Sequence, residues 1–219
     1  MQFSTGSTLR FGWETFKKRP LFFVGSTVVI LLVSGLINAL TNAVDGTFGG
    51  SADQPSVVGG VINLGLGTLL SMGATAFYLA AQDNPETVDL STLWHPQPFW
   101  KFLGASILFA LAIAVGFVLL IVPGIIFALM FMFTTFVVID RELGPIEAMK
   151  ESNRITYGHK WTLLGFGVLL VLINLLGLIA FVVGLLVSIP VSSLAVAHAY
   201  RVLAGHAPPP DAAMMARAA

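Results

Sequence analysis

Four stretches of this chain carry no charged side chain: Pro20 to Val44, Gln54 to Gln82, Phe102 to Ile139 and Trp161 to Tyr200. Nothing else in the sequence constrains the fold as much. An apolar bilayer core of about 30 Å is crossed by roughly 20 helical residues at about 1.5 Å each. The first two stretches have the length of single crossings. The third and fourth, from 102 to 139 and from 161 to 200, would run to about 57 and 60 Å as single helices and must fold back.

The sequence therefore predicts six helices, over 20–43, 57–81, 100–121, 124–140, 161–180 and 183–203. They pair as three hairpins over about 20–82, 100–140 and 161–203. The expected fold class is all-α integral membrane: six transmembrane helices in a single domain over 1–205, with interfacial helices on the cytoplasmic face. The Pro- and Ala-rich segment 206–219 is expected to be a disordered cytoplasmic tail. Composition agrees, since only 10% of residues are charged, against about 25% in soluble domains.

One threading puts every basic residue on one side. Arg10, Lys17, Lys18 and Arg19 precede the first helix, and Lys101 the third. Arg141, Lys150, Arg154 and Lys160 separate the fourth and fifth, and Arg201 and Arg217 follow the sixth. The opposite connections hold only Asp45 and Asp53. The positive-inside rule makes the basic side cytoplasmic, with both termini there, and the expected location is a bacterial inner membrane. The apolar run after Lys17-Lys18-Arg19 is much longer than a signal-peptide core of about 7–15 residues, so it reads as a retained helix. On the basic side eleven bases face nine acids, because all but Asp45 and Asp53 of the eleven acids lie there. That balance gives no polybasic patch, so nucleic acid is not an expected partner, whereas membrane lipid is.

The chain has no cysteine, which excludes disulfides and thiolate metal sites. His95, His159, His198 and His206 are scattered without ligand spacing, so no metal and no cofactor are expected. Gly65-Leu66-Gly67 lacks the third glycine of a dinucleotide loop. With no nucleophile elbow and no intramembrane acid or base, no catalytic residue stands out, and a non-enzymatic role is expected.

The second and third hairpins look like copies of one unit. An offset of 61 places Trp100 on Trp161, Leu103-Gly104 on Leu164-Gly165 and Gly116 on Gly177. Two amphipathic segments lie on the basic side. In Ser7 to Lys18, Leu9, Trp13 and Phe16 are expected to face the protein or lipid, and Arg10, Glu14, Lys17 and Lys18 the water. In Pro145 to Tyr157, Ile146, Ala148, Met149, Ser152, Ile155 and Thr156 form one face. Glu147, Lys150, Glu151 and Arg154 form the other, which is the expected surface for a membrane or cytoplasmic protein partner.

Asn38, Asn63 and Asn174 lie inside apolar runs. They line a polar path if the protein is a small-molecule or lipid transporter, and otherwise act as interhelical hydrogen-bond partners. The rows Gly59, Gly67 and Gly35, Ala39, Ala43 suggest close packing within the first hairpin. Pro190 is expected to kink the sixth helix. No Pro or Gly interrupts Phe127 to Phe136, so the fourth helix is expected to be unbroken.

Ile139-Asp140-Arg141-Glu142, Pro145-Ile146-Glu147-Ala148-Met149-Lys150, Ser152, Thr156, Gly158 and Trp161 resemble the signature of a bacterial multi-pass membrane family. Its relatives include the membrane domain fused to some glycerophosphodiester phosphodiesterases and stand-alone proteins mostly without assigned activity. The resemblance covers about residues 100–205 and implies a six-helix module of helical hairpins. It brings no enzyme, because the phosphodiesterase domain has no counterpart in these residues. The functional expectation is a scaffold or accessory subunit that organises a partner protein or local lipid, with a transporter as the alternative.

Overall fold

A computed structural model describes residues 4–50, 56–94, 98–180 and 183–205. Asp53, His95, His206, Arg217 and the expected tail over 206–219 lie outside the described residues. Helices α1 (Thr5–Lys18), α2 (Pro20–Thr47) and α3 (Val57–Asp83) are followed by a 3-10 turn at Leu90–Trp94. Then come α4 (Phe99–Leu119), α5 (Ile121–Phe131), α6 (Thr134–Arg141), α7 (Pro145–Thr156), α8 (Lys160–Ile179) and α9 (Leu185–Leu203). No strand occurs among the described residues. Six helices are long and apolar enough to cross a membrane, α5 and α6 together counting as one.

The helix ends follow local chemistry. Pro20 and Pro145 open α2 and α7, where a missing N–H costs nothing. The Ser56 hydroxyl caps α3 by accepting from Gly59 N–H at 3.0 Å. The side chain of Glu147 accepts from Gly144 N–H at 3.0 Å at the start of α7. Gly158, at φ 82°, supplies the left-handed residue that separates α7 from α8.

Successive long helices pack on each other, and three devices close their far ends. Between α2 and α3 the buried Asp45 carboxylate accepts from Ser56 N–H at 2.7 Å and from the Ser56 hydroxyl at 2.5 Å. A carboxylate there meets the positive end of the α3 dipole. Between α4 and α5 the turn is the single extended residue Leu120, not residues 122–123, which the expected bounds leave between the helices. Pro123 instead lies in the first turn of α5, a position proline tolerates. A Cβ on Gly116 would come within 2.8 Å of Gly124 Cα, and one on Gly177 within 3.1 Å of Gly184, so both later pairs close glycine on glycine. The 61-residue offset maps Gly116 onto Gly177 and places Gly124 one position past Gly184.

The densest packing is at the opposite end. Met72, Leu79, Phe102, Phe133, Val137, Leu163, Phe166 and Tyr200 form one buried cluster, and Phe16, Phe23, Phe77, Tyr78 and Leu194 a second. Helix α9 joins them: 56% of its apolar window is buried, against 17–28% for the other five spans, which makes it the central helix. It runs through Pro190 without a break.

Helix α1 buries Thr8, Gly12, Thr15 and Phe16 and leaves Trp13 46% exposed. The reason is Gly12, whose lack of a Cβ lets α1 rest on the backbone of α9 at Val191 and Ala195. The small-residue rows of the first pair do not interlock, since a Cβ on Gly35 would meet nothing and one on Gly67 only Asn63; the close contact is at Gly59, against Asp45. Finally, the fourth helix is broken between Phe131 and Thr134.

Candidate functional site

The break between α5 and α6 contains neither Pro nor Gly, and its cause is on α7. The buried Ser152 hydroxyl accepts from Phe133 N–H at 3.2 Å and donates to Met130 C=O at 2.9 Å. One turn later Thr156 donates its hydroxyl to the same carbonyl at 3.3 Å. A helix that loses a rung of its ladder leaves backbone groups to be satisfied elsewhere, and these two side chains take that role. Ala148 and Ile155 bury the rest of the same α7 face, while Ile146, expected there, is 62% exposed.

Below the break a compact charge cluster ties the helices together. The guanidinium of Arg201 donates to Asp83 at 3.0 Å through Nε and also bonds Asp140. Tyr200 donates its hydroxyl to Asp140 at 2.6 Å. The side chain of Arg201 is 10% exposed and that of Asp140 12%, so the pair is largely withdrawn from water and joins α3, α6 and α9. Arg141 pairs with Glu151, which also receives Arg154 Nε at 2.7 Å. The hydrogen bond from Arg154 holds the Glu151 carboxyl below the usual carboxylate range; partial burial opposes this, and the charges of Arg154 and Arg141 reinforce it.

The four residues expected to form one partner surface therefore divide. Glu147, Lys150 and Arg154 are exposed on α7. Glu151 is 14% exposed and turned inward to Arg141, so it belongs to the packing of α7 on α6.

The asparagines divide as well. Asn63 Nδ2 lies 3.5 Å from both Asn38 Oδ1 and Thr41 Oγ1, linking α3 to α2. Asn174 donates to Ser192 at 2.9 Å and accepts from Ser188 at 3.0 Å, linking α8 to α9. The two groups sit in different helix pairs, each with partners of its own. His198 stacks on Phe11 with ring centroids 3.8 Å apart, and its Nδ1 finds no hydrogen-bond partner among the described residues.

Two features had weak sequence signals. The sequence presents Arg201 only as a basic residue near a helix end; its neighbour Tyr200 and the acids Asp83 and Asp140, each at the same end of a helix, are the available hint. The 3-10 turn had no periodicity to announce it. It lies back along α3, where a Cβ on Gly73 would collide with the Leu93 carbonyl, and Arg19 anchors the preceding loop by donating to Glu86 C=O at 3.0 Å and Val88 C=O at 3.2 Å.

Five long apolar helices around a buried sixth, with the described charged side chains other than Asp45 gathered at a single end, are compatible with a multi-pass membrane protein. The chain belongs to the family described as Domain of unknown function (DUF7847), which it matches over residues 56–218. It is similar to the uncharacterized protein Rv2560 of Mycobacterium tuberculosis, 27% identical over 93% of this chain and 69% of the relative. The uncharacterized protein Mb2590 of Mycobacterium bovis is similar to the same extent, 27% identical over the same shares. No solved structure matches.

Proposed function

We propose that the protein is a non-enzymatic scaffold or accessory subunit of the bacterial inner membrane, with both termini cytoplasmic and three helical hairpins entering from that side. The observation that carries this is the construction of α7. Its buried face is spent on the bundle through Ser152, Thr156 and Ala148, and its outer face presents Glu147, Lys150 and Arg154 to the cytoplasm. A rigidly seated helix with mixed exposed charge suits a protein partner. The bundle end beneath it is locked by Arg201, which speaks against a helix that moves in transport. The separate, locally satisfied asparagine pairs support packing over a continuous polar path. Kinship with the phosphodiesterase-fused membrane domain rests on Asp140-Arg141, Ser152 and Thr156 and belongs to this reading.

The test is extraction in native-lipid particles, followed by mass spectrometry of what co-purifies in near-stoichiometric amount. A recurrent protein lost in the Glu147→Gln/Lys150→Gln/Arg154→Gln variant is the expected result. Recovery of a small molecule or lipid alone, with flux in proteoliposomes abolished by Asn174→Leu, would replace the reading by the transporter.

A further inference from the structure

The charge cluster provides a height from which other elements can be measured. Arg201, Asp83 and Asp140 meet at one level of α9, α3 and α6. Ten positions from Asp83 along α3 is Gly73, on which Leu93 of the 3-10 turn rests. Ten positions from Arg201 along α9 is Val191, on which Gly12 of α1 rests. Seven positions from Asp140 is Phe133, held by Ser152 of α7. At about 1.5 Å per residue these heights are about 15, 15 and 10 Å. Helix α1, the 3-10 turn and α7 therefore form a collar around the bundle at nearly one height.

The collar is charged and aromatic. Arg10, Lys17 and Lys18 on α1 are exposed, as are Glu147, Lys150 and Arg154 on α7. All four tryptophans are exposed and lie on it or beside it: Trp13 on α1, Trp94 on the turn, Trp100 one helical turn from Gly104, which touches Pro145, and Trp161 at the start of α8. An exposed charge inside hydrocarbon costs at least about 2.5–3.5 kcal/mol, and tryptophan collects at headgroup depth. Hydrocarbon therefore begins beyond the collar.

What remains beyond it differs sharply between pairs. Helix α2 continues from Phe23, which Phe16 of α1 touches, to Thr47, about 36 Å at the helical rise. Helix α3 continues from Gly73 to Val57, about 24 Å. Helix α4 has only Gly104 to Leu119 and α5 only Phe131 to Ile121, about 22 and about 15 Å. Helix α8 runs about 27 Å from Trp161 to Ile179, but its partner α9 has only Val191 to Leu185, about 9 Å, and Gly177 meets Gly184, so the shorter limb sets the depth of that tip. A full core needs about 30 Å and one leaflet about 15 Å.

The tips agree with the lengths. The α2–α3 connection bears Asp45, Thr47 and Ser56, whereas Val115 to Phe127 and Leu175 to Val187 contain no charged or hydrogen-bonding side chain. The Leu120 turn also spares the bilayer much bare backbone: Leu120 N–H donates to Gly116 C=O at 3.1 Å, and Gly124 N–H to Leu120 C=O at 3.2 Å.

We infer that only α2 and α3 cross the bilayer, while α4–α5 and α8–α9 are re-entrant hairpins that occupy the cytoplasmic leaflet, with its acyl chains as their partner, and turn back near the midplane. This rests on the cytoplasmic placement of the charged end proposed above. It leaves both termini on that side.

The absence of cysteine permits the test. Nitroxides are attached at Leu120→Cys, Val118→Cys or Val183→Cys, side chains that are 67–87% exposed, with Thr47→Cys and Lys150→Cys as controls. Depth is read in phosphatidylcholine/phosphatidylglycerol vesicles from the collision ratio of oxygen to a polar nickel chelate. Labels at 118, 120 and 183 are expected near the bilayer centre, with oxygen collisions at least tenfold favoured over those at the controls. Labels at headgroup depth would overturn the inference and restore six crossings. If in intact cells an impermeant maleimide reaches Lys150→Cys and not Thr47→Cys, the cytoplasmic placement itself fails, a result distinct from a wrong depth.

Discussion

The hydroxyl of Ser152 serves two backbone groups at once, and that economy makes it vulnerable. Ser152→Ala removes the acceptor for Phe133 N–H, which is buried, and one of two donors to Met130 C=O. An unpaired buried donor costs about 1–3 kcal/mol, and the variant is expected to lose about that much in denaturant titrations in micelles. Ser152→Thr, which keeps the hydroxyl, should lose less where its extra methyl is accommodated. An unchanged midpoint for Ser152→Ala would mean that the break holds itself open. Residue-level meaning was only partly legible in the sequence. Ser152 and Thr156 stood out as signature positions on the correct face of α7, but a serine four residues before a threonine does not say which carbonyl it will bond. Glu151 read as a surface charge because its partner Arg141 lies ten positions away and faces it only after α6 and α7 fold together.

Elements were legible where periodicity or charge reports them, and hidden where a tertiary contact makes them. All six long helices follow from apolar length, with ends within a few residues of those predicted. The division of the fourth into α5 and α6 could not, since Phe127 to Phe136 has no breaker and the interruption is imposed by α7. Which residues of α1 meet α9 is decided by backbone approach at Gly12, which hydrophobicity does not report. The 3-10 turn depends in the same way on Gly73. Gly73→Leu places a side chain where the Leu93 carbonyl sits, so the turn must leave α3. Amides from Leu90 to Trp94 are then expected to exchange hydrogen at least tenfold faster, while those in the middle of α9 keep their protection. Equal exchange in the two proteins would show that the turn does not need the glycine.

At the scale of the whole molecule, Arg201 is the link between helices that are distant in sequence. Removing it leaves the carboxylates of Asp83 and Asp140 facing one another, and breaking a buried pair by deleting one partner costs about 3–5 kcal/mol. Arg201→Ala is expected to lower the unfolding free energy, read from SDS titrations, by an amount in that range. Arg201→Lys should recover only part, because an ammonium cannot fork to two carboxylates. Matching midpoints for Arg201→Ala and the parent would show that packing alone holds α3, α6 and α9. Six helices long and apolar enough to cross a membrane were readable from the charge-free stretches. The relative heights of the elements were not, because they depend on which turn of α9 receives Gly12. That contact also has a consequence in time. Phe11 and His198 stack although nearly the whole chain separates them, so during synthesis α1 emerges first and must wait for the last helix before it can dock. Until the ribosome delivers α9, the groove-facing side of α1 is open to chaperones and proteases, and completion of the chain, more than insertion of any one hairpin, sets the moment at which the fold closes.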